Sequence, residues 1–176
     1  MPQQPVSFEA YPAERFIEIA IVWADHAWPI TVEQAQRVYE SLGYHAYPPD
    51  PSLFISDLSA DGEPDSYYTA TGKHINSIRP AIARRCPLEE EARYAALVSG
   101  TYAKYRSAFD RTFNRVAKHV RGSRSDEWTL DNDVRFRIGD IGTTITFVIH
   151  SPRMTQLRRE EESMGLTSYD DILEDD

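Results

Sequence analysis

The sequence predicts an α+β protein in which an antiparallel sheet, formed by an N-terminal hairpin and a C-terminal three-stranded meander, packs against a long central helix and flanking helices. Three observations lead there. Apolar residues recur at helical spacing in two stretches before Gly43 and in a longer one after Leu88. They alternate with polar residues between Trp128 and Ile149, and Pro, Gly, Asp and Asn punctuate the segments between.

Taking the elements in order, Phe16, Ile19, Ala20 and Trp23 fall at i, i+3, i+4 and i+7 within Ala13 to Trp28, which is one helical face ended by Pro29. Thr31 followed by Gln34 has the form of a capping box. It opens a second helix, striped by Val32, Ala35, Val38, Tyr39 and Leu42 and stopped at Gly43. The prolines of Tyr47 to Pro51 exclude helix and lead into a strand over Leu53 to Leu58. Asp61-Gly62 is a tight-turn pair, and Tyr67, Tyr68 and Thr69 suit the returning strand, with a further extended segment from His74 to Ile82.

The longest helical signal runs from Leu88 to Val120, with Leu88, Ala92, Ala95, Tyr102, Tyr105, Phe109, Phe113, Val116 and Val120 stepping by threes and fours. Glu89, Glu90 and Glu91 stand at its dipole-favoured start, and Ser99-Gly100 is a possible kink. The meander follows, with Trp128 and Leu130, then Val134, Phe136 and Ile138 facing inward against outward Arg135 and Arg137, then Ile145, Phe147 and Ile149. Ser151-Pro152 is an N-cap and N1 pair, opening a last helix that buries Met154 and Leu157 and ends near Gly165.

At 176 residues, with 41% hydrophobic and 27% charged residues, the chain has room for one folded domain, and its composition is not that of a disordered one. The domain is read as residues 1–165, followed by an acidic tail over residues 166–176. The first residues carry no basic and apolar secretory pattern, and the run Phe16 to Trp28 is interrupted by Glu18, Asp25 and His26. The single Cys86 allows no internal disulfide. Together these predict a cytoplasmic protein with no membrane partner.

The net charge of −9 is unevenly placed. Residues 1–65 hold eleven acids against Arg15 and Arg37, residues 66–159 hold nine acids against seventeen bases, and residues 160–176 hold eight acids and no base. Acidic ends of this kind attract a basic partner.

Few constellations carry chemistry. Asp57, Ser59, Asp61, Gly62 and Asp65 match the early spacing of a calcium loop, but Tyr68 stands where the bidentate Glu belongs and Pro64 where an aliphatic residue belongs. His26, His45, His74, His119 and His150 are scattered, without the paired spacing of a zinc helix. No glycine-rich phosphate loop or nucleophile elbow is present, and Glu89 to Glu91 and Glu160 to Glu162 read as solvated helix faces. The expectation is therefore a protein that is not an enzyme, with no metal and no cofactor. Lys104, Arg106, Arg111, Arg115, Lys118, Arg121 and Arg124 would form a basic helix over 104–124, which is the alternative reading as a nucleic-acid-associated protein. The acidity of the whole chain weighs against it, so no nucleic-acid partner is expected.

The remaining candidate is the acidic turn Asp61, Gly62, Glu63, Asp65 with Tyr67 and Tyr68 beside it. A rigid turn bearing carboxylates can plug a cleft built for a phosphate-bearing ligand, with tyrosines supplying contact area at the rim.

In length and running sequence the chain resembles immunity factors of the kind that neutralise tuberculosis necrotizing toxin, an NAD(+) glycohydrolase. It also resembles actinobacterial proteins with a Trp-x-Leu strand and a Ser-Pro-capped helix, matched here by Trp128, Leu130, Ser151 and Pro152. The resemblance implies an antitoxin that binds the toxin domain one to one in the producer cytosol and blocks its NAD-binding site. Assignment of that contact to Asp61, Gly62, Glu63, Asp65, Tyr67 and Tyr68 comes from charge and turn geometry.

Overall fold

The computed structural model describes residues 7–166. Helix α1, Ala13–Asp25, follows Pro12 and buries Phe16, Ile19, Ala20 and Trp23, the face predicted by their spacing. It stops ahead of Pro29, and the Trp28–Pro29 peptide in the following turn is cis. Helix α2, Val32–Ser41, opens on a complete capping box: the Thr31 hydroxyl accepts from the Gln34 N–H at 3.2 Å, and the Gln34 side chain accepts from the Thr31 N–H at 3.0 Å.

Two short strands, β1 (Glu9–Ala10) and β6 (Ala83–Arg84), pair as a ribbon. The main sheet has eight antiparallel strands: β2 (His45–Ala46), β3 (Leu53–Ile55), β4 (Ser66–Thr71), β5 (His74–Arg79), β7 (Val116–Arg121), β8 (Ser125–Leu130), β9 (Arg135–Asp140) and β10 (Ile145–His150). Their spatial order is β2-β3-β4-β5-β10-β9-β8-β7. Two meanders, each of consecutive strands, thus meet at the β5–β10 seam, where Ile78 lies opposite Ile149 and Ser77 opposite His150. A turn of 3-10 helix, Leu88–Glu90, leads into α3, Glu91–Thr112, and α4 spans Pro152–Ser163. The Ser151 side chain caps α4 by accepting from the Met154 N–H at 3.2 Å, with Pro152 in the first turn.

The core lies between one sheet face and helices α1, α2 and α3. Phe16 of α1 stacks on Tyr105 of α3 at 4.5 Å and meets Phe147 of β10 edge-on at 5.1 Å. Tyr39 of α2 stacks on Phe54 of β3 at 4.3 Å. Each buried tyrosine needs a partner for its hydroxyl, and backbone carbonyls supply it: Tyr39 donates to Tyr67 O, Tyr44 to Ala81 O and Tyr105 to Tyr11 O, at 2.6–2.8 Å. Burial pushes all three phenols well above their ordinary pKa.

Several expectations are corrected. The long helix ends at Thr112, and residues 116–121 form strand β7, so the meander has four strands. Val116 and Val120 fit the helical spacing and are also β-branched, and pairing with β8 decides in favour of the strand. In α3 the buried residues are Val98, Tyr102, Tyr105, Ala108 and Phe109; Leu88, Ala92 and Ala95 are exposed, and the helix continues through Gly100. Strand β3 stops at Ile55, three residues short of Leu58. Finally, Arg135 is 2% exposed and Arg137 half-buried, because α4 lies across the outer face of the sheet. Helix α4 is held there by Arg158–Glu127 at 2.8 Å and Arg159–Asp133 at 2.8 Å, with Thr155 buried and Leu157 exposed. Of the expected acidic tail, residues 167–176 lie outside the described residues.

Candidate partner-binding loop

The segment between β3 and β4 is a clamped loop over residues 56–65 and not a two-residue hairpin turn, because the β3–β4 ladder closes at Phe54 opposite Ser66. The clamp is Asp65. Its carboxylate accepts from the Ser56 N–H at 2.9 Å, the Ser56 hydroxyl at 2.5 Å and the Ser66 hydroxyl at 3.1 Å, tying the two loop ends together. Arg84 donates to Leu58 O at 2.5 Å and pairs with Glu9 at 3.2 Å, which fixes the loop's outer flank to the β1–β6 ribbon.

At the tip the Asp61 carboxylate accepts from the Glu63 N–H at 3.0 Å and from the Ser59 hydroxyl at 3.2 Å. The Glu63 N–H above all holds the Asp61 carboxyl below its ordinary pKa, so it is ionised at neutral pH. Gly62 sits between them at φ +74°, a left-handed conformation that other residues adopt at a cost, and a Cβ there would meet nothing within 4 Å. Asp61, Gly62 and Glu63 are all exposed. Within the candidate set, then, Asp61 and Glu63 present charge at the tip, Gly62 shapes it, and Asp65, also exposed, clamps the ends of the loop.

The tyrosines divide. Tyr67 is 38% exposed, with the Arg79 guanidinium over its ring at 5.7 Å. Tyr68 is 8% exposed and is no rim residue: it packs against Phe54 in the core, and Gln36 donates to its hydroxyl at 3.3 Å. Strand alternation separates the two, since adjacent residues of β4 face opposite sides of the sheet. Beside the loop lies a cavity of about 630 Å³ lined by Asp61, Glu63 and Asp65 of the loop, by Arg79, Arg84 and Arg85, and by residues of β10. The arginines had no periodic signal in the sequence; the course of the chain from β5 through β6 brings them to the same cavity as the acids.

The basic segment 104–124 does not survive as one helix. Lys104, Arg106 and Arg111 are on α3, whereas Lys118 and Arg121 are on β7. Several of its charges are answered internally: Arg115 pairs with Asp25, Arg124 with Asp140 at 3.0 Å and Arg106 with Asp126 at 2.7 Å. Asp126 is fully buried and also accepts from the Tyr102 hydroxyl and, at 2.7 Å, from His119 Nε2, which joins β7, β8 and α3. Cys86 is buried, and burial raises its thiol pKa. Among the described residues no group of three or more His, Cys, Asp or Glu is placed to hold a metal ion, and no helix is long and apolar enough to cross a membrane.

Fold and loop together define an α+β protein with an eight-stranded antiparallel sheet and an acidic clamped loop at one end of it. The chain belongs to DUF6301, a family of unknown function, whose model matches residues 14–151 and so takes in both meanders and the loop. No curated protein and no solved structure matches the chain.

Proposed function

We propose that this protein is an immunity protein of the cytoplasm that binds an NAD(+) glycohydrolase toxin domain one to one and blocks its NAD-binding site, without catalysis or cofactor of its own. The observation that carries the reading is the loop 56–65, whose ends are tied by Asp65 to Ser56 while Asp61 and Glu63 remain exposed at the tip. A cleft that accepts a dinucleotide pyrophosphate has positive potential, and carboxylates on a loop fixed before binding complement it at little cost in ordering entropy. The exposed Tyr67 adds rigid contact area beside the tip. The resemblance to toxin-neutralising immunity factors supports the same assignment.

The test is direct. The purified chain is mixed with the catalytic domain of tuberculosis necrotizing toxin, and NAD hydrolysis is followed together with binding by surface plasmon resonance. Stoichiometric inhibition is expected. A chain that neither binds nor inhibits the toxin domain overturns the reading.

A further inference from the structure

We propose that the β7 edge of the main sheet is a second binding surface, which takes an acidic extended segment of a partner protein as an added antiparallel or parallel strand. The proposal goes beyond the loop reading and is independent of it, since β7 and the β3–β4 loop lie toward opposite ends of the sheet.

Among the described residues β7 is the last strand of the sheet, and residues Ala117 to Arg121 are exposed. The opposite edge, β2, is only His45–Ala46, too short to pair with more than a fragment, so β7 is the edge with a usable row of backbone groups. The Gly122 N–H donates to Ser125 O at 2.7 Å, and Val120 lies opposite Glu127 and Arg121 opposite Asp126. Antiparallel ladders alternate between bonded and non-bonded pairs, so Gly122 and Val120 turn their backbone groups toward β8, and His119 and Arg121 turn theirs away. The register irregularity of β7 falls between Val116 and Lys118 and leaves His119 to Arg121 regular.

Charge decides the occupant. β7 contains Lys118, His119 and Arg121 and no acid. At its ends Arg115 and Arg124 are engaged by Asp25 and Asp140, while Lys118 and Arg121 between them are exposed. A second copy of β7 would line the seam with further cations and bring no carboxylate to offset them, which disfavours self-pairing. A strand with acidic residues gains both the backbone bonds and cross-strand charge pairs. Val120, 49% exposed, shares one face of β7 with Lys118, while His119 and Arg121 lie on the other, so a strand with β-branched residues toward Val120 and acidic residues toward Arg121, alternating along its length, suits this edge.

The probe is an acetylated, amidated peptide of three Glu-Val repeats, titrated into the full chain labelled with nitrogen-15. The amides of His119 and Arg121 are expected to exchange with solvent about tenfold more slowly when the peptide is bound, and the effect should fade as salt is raised. An N-methylated version of the peptide, which keeps the charges and loses the donors, should give no such protection. The exposed pair of substitutions Lys118→Glu and Arg121→Glu should abolish it without altering the fold. Unchanged exchange at His119 and Arg121 under saturating peptide overturns the proposal, and so does equal binding of the N-methylated peptide, which would mean surface charge attraction alone.

Discussion

The indole of Trp128 lies on the ring of Phe109, with centroids 4.1 Å apart and planes 23° from parallel, and both side chains are fully buried. The indole N–H donates to the Asp110 carboxylate at 3.0 Å, so the one polar atom of Trp128 is satisfied from the helix that supplies Phe109. This pair fastens α3 to the second meander. Replacing either residue by alanine empties a large aromatic site, and a loss of about 3–5 kcal/mol each is expected in urea unfolding. The double variant should lose less than the sum of the two, because the stacking is removed only once, with a coupling of about 0.5–1.5 kcal/mol. Strict additivity would mean that the two rings do not support one another.

At the loop, tip and clamp should respond differently. Asp61→Asn with Glu63→Gln is expected to leave the unfolding midpoint unchanged while slowing association with the toxin domain and reducing its salt dependence, because exposed charge acts mainly through encounter. Gly62→Val forces a branched side chain into φ +74°, costs about 1–2 kcal/mol and should speed dissociation. Asp65→Ala leaves the Ser56 N–H without its acceptor and should cost about 1–3 kcal/mol in stability. Wild-type kinetics for both tip variants would return the loop to an ordinary exposed connection.

The buried Asp126 carboxylate is the common acceptor of Tyr102, Arg106 and His119. Asp126→Ala strands the Arg106 charge and should destabilise by about 3–5 kcal/mol. Hydrogen exchange should show β7 loosening first, since its one inward ring, His119, is held by this carboxylate. Uniform loss of protection over the sheet would contradict that role.

His150 gives a pH dependence. Burial chiefly, and then the guanidinium charges of Arg135 and Arg79, hold its imidazole well below the ordinary value of 6.5. The folded protein keeps the ring neutral where the unfolded chain takes up a proton. Its contribution is therefore complete above about pH 6.5 and is lost progressively as the pH falls below it. Urea midpoints measured at about pH 7.5 and pH 5.5 should diverge for the wild type and converge in part for His150→Gln. Equal slopes for the two proteins would exclude the effect.

Much of this fold was legible in the residues themselves. The face of α1, the capping box at Thr31 and Gln34, the Ser151-Pro152 start of α4 and the inward residues of the meander all follow from local spacing and local hydrogen bonding. What was not legible depended on neighbours distant in sequence. Val116 and Val120 satisfy either periodicity until β8 is present to pair with them. Arg135 alternates as an outward residue and is buried only because α4 returns across that face. Of the loop, the acids and the Gly62 turn could be read directly, whereas the Asp65–Ser56 clamp, the burial of Tyr68 and the arginines lining the adjoining cavity arise from tertiary placement.

The seam between β5 and β10 has a consequence for how the molecule opens. Each meander closes through contacts between consecutive strands, which form over short loops, while the Ile78–Ile149 and Ser77–His150 pairings join segments from opposite halves of the chain. The entropic toll of long-range closure is concentrated there and at the packing of α1 on α3. The sheet is therefore expected to behave as two foldons sharing one border, with sub-global opening parting them along it before either meander frays internally. Native-state exchange in low denaturant would then find the β5 and β10 amides opening together in one cooperative step, below the free energy at which the β8–β9 ladder is lost. A single common opening energy across all eight strands would show instead that the border is as strong as the halves it joins.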